Sequence, residues 1–547
     1  MLIDGNRVDA AASLRADVVI VGAGPAGISL AEELGDAGLH VIVVEAAGRQ
    51  HKRADNDGLT GVSTADPFPL VTSRRRGFGG TSGHWTPTTG LRVRPFDVVD
   101  FDNQPWRDGH SWPFGRSELE PYYERAHRTI GLAGGYEPRR WFGDTDPTPL
   151  AWAGGPQLAV FQFADHDCFV RRFDAFAASP RIDLVLHATV AEIVVGTDGK
   201  TISRLSVVAR SRTSFSVEAT TYVLAAGGID NARLLLASPG PHGHGVGNEH
   251  DNVGRYFMDH LSVDSGVIVP TQALDATVFG QRDTAQGRIQ PMLWLGDQRI
   301  VAEGIPNAAF WIDHQDSAYQ SPGVGAARSW RTARRSVPRV NTRRHALATL
   351  RGAPDLIAYA SSRGRSRERV LGLRIMVEQV PDRESRVVLG SRRDALGQRR
   401  VELRWRVTSS DLDTIAAHQE VLRRMFREHG VGDLGSPFDA ETHRSPIMTN
   451  AHHMGATRMH VDPRHGVVDR YGLVHSTSNL YVVGSSVFPT GSYLNPTLTI
   501  LALALRTGDA IRRRHAPTAL TATGRAAQTV GDPASWNGSA SRSPAAG

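Results

Sequence analysis

The chain of 547 residues is long enough for two or three domains, and its 40% hydrophobic and 22% charged residues are typical of a soluble globular protein. The formal net charge is +6. Almost all the cations are arginines spread along the chain, which argues against a polyanion partner. Cys168 is the single cysteine, so an intrachain disulfide and a four-thiolate metal site are excluded.

One segment departs from this even distribution of arginines. Between Arg328 and Arg369 they occur in runs such as Arg334-Arg335. The cluster supports one alternative, a nonenzymatic nucleic-acid-binding protein, whose binding would fall steeply with salt. We interpret it instead as exposed helix faces of an inserted cap, and we expect no nucleic-acid partner.

The amino terminus lacks a basic leader followed by an apolar core and a small-residue cleavage site. The first apolar run, residues 17–21, is too short to cross a bilayer. We therefore expect a cytoplasmic protein without a membrane anchor.

The strongest local signal begins at residue 16. Residues 17–21 are continuous and β-branched, as in a buried parallel strand. A glycine-rich turn, a helix to about Ala37, a second strand over 40–44 and the acidic Glu45 follow. This order of strand, glycine turn, helix, strand and acid predicts a dinucleotide-binding unit.

Each position in this unit has a physical role. Gly22 permits the tight turn, Gly24 lets the backbone approach a pyrophosphate, and Gly27 allows the helix to pack closely on the strand, with Ala26 between them. The helix amino terminus favours the phosphate charge. Glu45 is placed to accept hydrogen bonds from ribose hydroxyls. The motif alone does not separate NAD from FAD.

Further landmarks follow along the chain. Residues 76–85 form a glycine-rich loop suited to a bulky planar ligand, and it contains Gly79, Gly80, Thr81, Ser82, His84 and Trp85. Residues 221–236 predict a strand, a small-residue turn and a helix, with Ala226 and Gly227 at the turn. A last strand over 480–483 leads into two turns and a final helix over about 498–513, and these turns contain Gly484, Ser485, Asn495, Pro496 and Thr497.

Together these landmarks resemble the glucose–methanol–choline (GMC) oxidoreductase family of flavoproteins, from about residue 16 to residue 513. The resemblance is greatest to the subgroup of pyranose oxidases and bacterial glycoside and amino-sugar oxidases, which shares the His-Trp of the loop and the Asn-Pro-Thr near the end. It implies FAD as the cofactor, with the adenine near Glu45 and the backbone of Val190. It also implies an FAD-dependent alcohol oxidase or dehydrogenase.

The segment Asn450-Ala-His452-His453-Met-Gly455 resembles the family's HxxG motif and places the catalytic histidine at His452. The second family position falls on Asn495. A histidine is a neutral base near working pH, and an amide holds the substrate oxygen without titrating. We therefore predict His452 as general base, Asn495 as its partner and FAD as hydride acceptor. A shift of one residue would exchange the roles of His452 and His453.

Several alternatives accompany this prediction. In pyranose oxidases the histidine of a matching His-Trp-Thr is bonded covalently to the flavin, and His84 holds that position here. We favour a packing or hydrogen-bonding role for His84. We expect no metal site, although His443, His452, His453 and His460 are near each other in the sequence. Some members of the family are lyases whose flavin does not turn over, and this is the alternative function.

The implied fold is α/β and discontinuous in sequence. A Rossmann-like FAD-binding domain with a parallel sheet is predicted from residues 1–100, 181–265 and 464–515. An α+β substrate-binding domain with an antiparallel sheet is predicted from residues 101–180 and 266–463. The tail, 516–547, is rich in small and polar residues, and we predict that it is disordered.

The subgroup resemblance implies oxidation of a sugar, a glycoside or an amino-sugar of the aminoglycoside type, as in antibiotic biosynthesis. A cationic amino sugar would need carboxylates in the pocket, and Asp165 and Asp167 are possible contributors. The sequence leaves open whether oxygen or another acceptor reoxidises the flavin. It carries no signal for the oligomeric state.

Overall fold

The structure is a computed structural model that describes residues 1–107, 109–143, 155–271, 276–316, 369–435 and 447–516. Apart from Arg369, the arginine cluster between Arg328 and Arg369 lies outside the described residues. His443 and the predicted disordered tail after Ala516 also lie outside them.

The α-helices of the described ranges are α1 (Pro25–Asp36), α2 (Arg116–Thr129), α3 (Pro138–Phe142), α4 (Phe173–Ala178), α5 (Gly227–Ala237), α6 (Asp297–Glu303), α7 (Ser409–Glu428) and α8 (Thr497–His515). Their strands are β1 (Leu2–Asp4), β2 (Ser13–Val21), β3 (Val41–Val44), β4 (Gly61–Ser63), β5 (Leu91–Val93), β6 (Gln157–Ala164), β7 (Ile182–Leu186), β8 (Ala188–Val195), β9 (Ile202–Ala209), β10 (Ser214–Leu224), β11 (Leu261–Pro270), β12 (Arg282–Thr284), β13 (Gly287–Trp294), β14 (Ala308–Asp316), β15 (Arg369–Val377), β16 (Arg386–Arg393), β17 (Arg399–Arg404), β18 (Gly432–Gly435), β19 (Met448–Thr449) and β20 (Leu480–Val482).

The first sheet is parallel in its centre. Its strands lie in the order β1-β7-β3-β2-β10, and β20 pairs parallel to the end of β10. The antiparallel strands β8 and β9 extend it along the first half of β10. The central strands β2 and β3 are buried because helices cover the sheet, which explains their continuous runs of valine and isoleucine.

α1 packs directly against this sheet, and α8 packs against α1. α1 begins with Pro25 at its first position, where the missing N–H costs nothing. α8 packs against α1 and α2, and Gly508 allows the close approach, since a Cβ there would lie 3.1 Å from the Leu30 side chain. Basic residues fill the last turn of α8, where the helix dipole favours positive charge.

The second sheet is antiparallel and has the order β18-β11-β15-β14-β13-β6-β5, with β12 paired to β13 and β19 paired to β11. α7 packs against its β15 and β18. The helix starts with a capping box in which Thr408 and Asp411 each accept a hydrogen bond from the other's backbone N–H. A small third sheet has the order β16-β17-β4.

The two large sheets confirm the α/β fold with a Rossmann-like part and an antiparallel part. β5, at 91–93, and the first half of β11 belong to the antiparallel sheet, although both lie in segments predicted for the FAD-binding domain. β5 has only three residues and so carries no periodicity that a sequence could reveal. Among the described residues, no helix has the length and apolar character needed to cross a bilayer.

Candidate active site

A cavity of about 580 Å³ opens where the parallel strands end. Its wall includes residues that directly follow β2, β3 and β10, the turn shortly after β20, and residues of β5 and β6 from the antiparallel sheet. The carboxyl ends of parallel strands are the usual ligand-binding edge of an open α/β sheet. The cavity therefore lies between the predicted nucleotide site and the second sheet.

Most of the predicted site residues lie in the wall of this one cavity. They are Gly22, Gly24, Ala26, Glu45, Gly80, Thr81, Ser82, Trp85, Val190, Ala226, Gly227, His452, His453, Gly484, Ser485, Asn495, Pro496 and Thr497. Three others do not line it, namely Gly27, Gly79 and His84. The structure thus brings together residues that lie more than 400 positions apart in the chain.

The glycine turn has the shape that an extended pyrophosphate requires. Gly22 has a φ of +105°, which favours glycine, and a Cβ at Gly27 would lie 2.0 Å from the Gly22 carbonyl oxygen. A Cβ at Gly24 would meet no atom within 4 Å, because this position faces the open cavity. Gly80 touches Gly24 from the neighbouring loop, and Gly79 donates its N–H to Ala23.

Glu45 holds this turn and loop together. Its carboxylate accepts hydrogen bonds from the backbone N–H groups of Ala23 (3.0 Å), Ala47 (3.0 Å) and Gly77 (2.8 Å). Oε1 accepts two of these bonds and Oε2 one, so Oε2 retains a lone pair for a further donor such as a ribose hydroxyl. The hydrogen bond from Gly77 anchors the 76–85 loop to Glu45, a role of Glu45 that the sequence analysis missed.

The electrostatics of the wall fit an anionic dinucleotide. The amino ends of α1, α5 and α8 all border the cavity, each presenting free N–H groups. The charged residues of the wall are mostly cationic, namely Arg74, Arg75, Arg76, Arg92 and Arg233 against Glu45 and Asp230. Asp230 is paired with Arg74 at 2.7 Å. This donor set and the glycine cradle suit FAD, whose pyrophosphate is negatively charged.

His452 and Asn495 meet inside the cavity. The Asn495 amide donates a hydrogen bond to Nε2 of His452 at 3.1 Å, and its Oδ1 accepts one from Nε of Arg92 at 3.0 Å. Burial, and next the nearby cationic groups, lower the pKa of His452 well below its ordinary value. The imidazole ring is therefore uncharged at neutral pH, with a lone pair on Nε2.

Arg92 is a residue that the sequence analysis did not identify. It lies on β5, contacts Gln290 and the face of Phe161, and has no carboxylate partner among the described residues. Burial lowers the pKa of Arg92 to about 10, and the guanidinium remains charged at neutral pH. No local motif marks it, because its role depends on strand pairing between distant segments.

His453 has a different environment from His452. Its ring lies beside Phe68 and Phe257, and its Nε2 has no hydrogen-bond partner among the described residues. Burial lowers the pKa of His453 to about 3. The carbonyl of His453 accepts a hydrogen bond from Ser485, which fixes the backbone of the motif against the turn after β20. Only His452 of the two contacts Asn495.

His452 also contacts a second buried histidine that the sequence analysis missed. His260 is fully buried, and its Nδ1 lies 2.8 Å from Nδ1 of His452. Asp259 accepts hydrogen bonds from the backbone N–H groups of His260 and His452. The adjacent pair Asp259-His260, directly before the apolar strand β11, is the one sequence signal that could have indicated this contact.

Three other predicted positions lie outside this arrangement. Nε2 of His84 is 3.3 Å from the Arg74 carbonyl oxygen, and burial lowers the pKa of His84. Asp165 and Asp167, suggested as partners of a cationic substrate, are paired with Arg171 and do not line the cavity. They follow the end of β6, where their exposed side chains pair with Arg171.

Comparisons with known proteins agree with this geometry. A family model described as GMC oxidoreductase matches residues 381–504, and one described as FAD binding domain matches residues 15–60. Paromamine 6'-oxidase from Streptomyces fradiae is 28% identical over 90% of this chain and 91% of its own. Fructose dehydrogenase large subunit from Gluconobacter japonicus is 25% identical over 91% and 98%.

Solved structures show the same fold. An FAD-dependent oxidoreductase from Chaetomium thermophilum superposes with a TM-score of 0.54 at 17% identity, covering 91% of this chain and 99% of that one. The carboxyl-terminal part of the chain, residues 381–504, thus matches the GMC oxidoreductase family, and relatives named as sugar oxidases and dehydrogenases are similar over nearly its whole length. The protein is an FAD-dependent alcohol oxidoreductase, which confirms the cofactor and the reaction class expected from the motifs.

Proposed function

We propose that this protein oxidises a CH–OH group of a sugar or glycoside to a carbonyl, with His452 as the general base. The observation that supports this most is the hydrogen bond between Asn495 and Nε2 of His452 inside the cavity. Full-length relatives named for paromamine and fructose support a sugar-like substrate. The separate environment of His453 supports the register that assigns the base to His452.

Bound FAD supplies the hydride acceptor for such a reaction. The chain must remove the hydroxyl proton and hold the carbon in place. Nε2 of His452 accepts the proton, because its pKa keeps the ring neutral in the resting protein. Arg92 orients the Asn495 amide, which donates a hydrogen bond to Nε2 of His452. This amide can therefore hold the substrate oxygen next to Nε2.

FAD is held in this proposal by the glycine turn, Glu45, the 76–85 loop and the amino end of α8. Pro496 and Thr497 begin α8 at the wall, so its dipole favours negative charge in the cavity. Nε2 of His84 contacts the Arg74 carbonyl oxygen and His84 does not line the cavity, which supports binding without a covalent link.

The charge of the wall favours a neutral substrate near His452. Arg92 is the charged side chain beside the catalytic pair, and the wall carboxylates Glu45 and Asp230 are held by backbone amides and by arginine. An ammonium group next to the reacting carbon would face Arg92 without a carboxylate partner among the described residues. An amino-sugar of the paromamine type fits only with its ammonium groups away from that carbon.

The test is an anaerobic titration of the FAD-loaded protein with neutral glycosides, amino sugars and simple alcohols. We expect a neutral sugar or glycoside to bleach the visible flavin band, because its electrons have no other acceptor. If a compound is consumed while the band remains unchanged, the lyase alternative is correct. If simple alcohols bleach the band and sugars do not, the substrate class is wrong.

Replacing Asn495 by aspartate tests the role of its amide. The new carboxylate would face Nε2 of His452 and Nε of Arg92. The other titratable groups near His452 are His260 and His453 beside its ring and Asp259 at its backbone N–H. An adjacent negative charge raises a histidine pKa by about one to three units. The pKa of His452 would rise, and the acid limb of the flavin-reduction rate should move to higher pH.

The matched control is Asn495→Leu, which removes the amide and adds no charge. We expect the Leu variant to reduce flavin more slowly at every pH, without an upward shift of the acid limb. An Asn495→Asp variant with the wild-type pH profile would contradict the assignment of His452 as the titrating base.

A further inference from the structure

A continuous hydrogen-bonded chain runs through the catalytic pair. It starts at Arg92, whose Nε donates to Asn495, and passes through His452 to His260. It ends where Nε2 of His260 lies 3.1 Å from the Gly491 carbonyl oxygen. The two ends are chemically fixed, because a guanidinium can only donate and a carbonyl can only accept.

Each end of this chain by itself determines which ring nitrogens carry a proton. From Arg92, the oxygen of Asn495 must accept, so its NH₂ group donates to His452 and Nε2 of that ring carries no proton. The neutral ring of His452 then carries its proton on Nδ1 and donates to His260. From Gly491, Nε2 of His260 must donate, so the neutral ring of His260 accepts on Nδ1. The two derivations give the same tautomers.

The backbone supports this contact from both sides. Pairs Met258–Met454 and Leu261–Thr449 bracket the two histidines in an antiparallel arrangement. Asp259 accepts the N–H groups of His260 at 2.7 Å and of His452 at 2.8 Å, and also that of Ala451. Ala451 has a φ of +59°, a conformation that a non-glycine residue adopts only when its surroundings impose it.

We infer that His260 is a positioning residue that selects the base-competent tautomer of His452. The inference rests on the proposed function, since it concerns the same base. With His260 as acceptor, the proton of His452 stays on Nδ1 and the lone pair of Nε2 faces Asn495 and the cavity. Without that acceptor, the Asn495 amide alone opposes the other tautomer, in which Nε2 carries a proton and cannot take the proton of an alcohol. His260 is also uncharged, because burial lowers its pKa to about 4.

Two substitutions separate this role from a purely structural one. The side-chain oxygen of asparagine occupies nearly the position of histidine Nδ1, so His260→Asn keeps the acceptor for His452 and loses the bond to Gly491. The side-chain nitrogen of glutamine reaches the position of Nε2, so His260→Gln keeps the bond to Gly491 and loses the acceptor. Each variant therefore keeps one of the two hydrogen bonds of the His260 ring and loses the other.

The readout is the anaerobic flavin-reduction rate at saturating substrate, with FAD content and thermal unfolding recorded for each variant. We expect His260→Gln to lose about 10- to 100-fold in rate, with KM changed much less and FAD retained. We expect His260→Asn to remain within about threefold of the wild type, as a conservative rescue. Equal rates in both variants, or an active Gln variant with an inactive Asn variant, would overturn the inference.

Crystal structures of the variants give a second readout that does not depend on turnover. In His260→Asn the side-chain oxygen at position 260 should lie within hydrogen-bond distance of His452 Nδ1, and in His260→Gln the His452 ring should rotate or lose this partner.

If the Asn variant does not fold, the Gln variant alone tests the inference, because a wild-type flavin-reduction rate in His260→Gln would show that His260 does not position His452. If His452→Ala itself retains flavin reduction, the proposed function has failed. If His452→Ala is inactive and His260→Gln is not, only the inference has failed.

Discussion

The His452→Ala variant is expected to bind FAD and to lose substrate-driven flavin reduction by about a thousandfold, within the range that general-base removal costs. The reason is local, because alanine removes Nε2, the atom that receives the Asn495 hydrogen bond inside the cavity. The backbone of this position stays anchored through Asp259, so the fold around it should persist. Stopped-flow anaerobic mixing with the identified substrate measures the loss, and the flavin spectrum measures the retained cofactor.

The control is His453→Phe, which tests the alternative register. The His453 ring lies between phenylalanine rings and its Nε2 has no hydrogen-bond partner among the described residues, so a phenyl ring fits that environment. We expect this variant to lose less than about tenfold in flavin-reduction rate, far below the loss for a missing base. An inactive His453→Phe beside an active His452→Ala would exchange the roles of the two histidines.

The second large effect is expected at Gly24. A valine there has room in the protein itself, because a Cβ at this position meets no atom within 4 Å, and the backbone φ of −85° suits any residue. The added side chain would instead occupy the space where the pyrophosphate approaches the turn. Crowding of about 3 kcal/mol corresponds to FAD binding that is weaker by about a hundredfold. The loss of FAD affinity is measured by the FAD content after gel filtration and by a fluorescence titration of the FAD-free protein.

Gly115 offers a closely matched control for this substitution. It also precedes a helix, with a φ of −84°, and a Cβ there likewise meets nothing within 4 Å. Gly115 is exposed and does not line the cavity, so Gly115→Val should carry the same cost at the helix start and leave FAD bound. Equal FAD content in the two variants would contradict the placement of the pyrophosphate at Gly24.

The nucleotide site was predictable because its information is local. The buried strand β2, the glycine turn and the start of α1 are consecutive in the chain, and each imposes its own residue types. Glu45 was found for the same reason. The hydrogen bond from Gly77 to Glu45 was not predicted, since the 76–85 loop comes close to the glycine turn only in the folded chain.

The catalytic arrangement was predictable only in part, and only through the resemblance to a family. His452 and Asn495 lie in recognisable motifs, whereas Arg92, on β5, and His260, next to β11, are brought to them by strand pairing within the antiparallel sheet. Neither of these two residues stands in a pattern with a chemical meaning of its own. Their assignment depends on hydrogen-bond distances, which no periodicity or spacing in the sequence contains.

The cationic character of the cavity was likewise hidden in a sequence rich in arginine throughout. Arginines at surface positions and arginines in the wall look alike until the fold separates them. The structure shows Arg92 beside His452 and Asn495, and it places Asp165 and Asp167 outside the wall. This redirects the substrate expectation toward a neutral sugar or glycoside at the reacting carbon.

The most direct test of the central claim is anaerobic flavin reduction by a substrate carrying deuterium on the carbinol carbon, compared with the undeuterated compound. If the carbon–hydrogen bond breaks as its hydride passes to the flavin, the visible band should bleach fully with both compounds and more slowly with the deuterated one. A sugar substrate that is converted while the band remains unbleached would contradict alcohol oxidation by this protein.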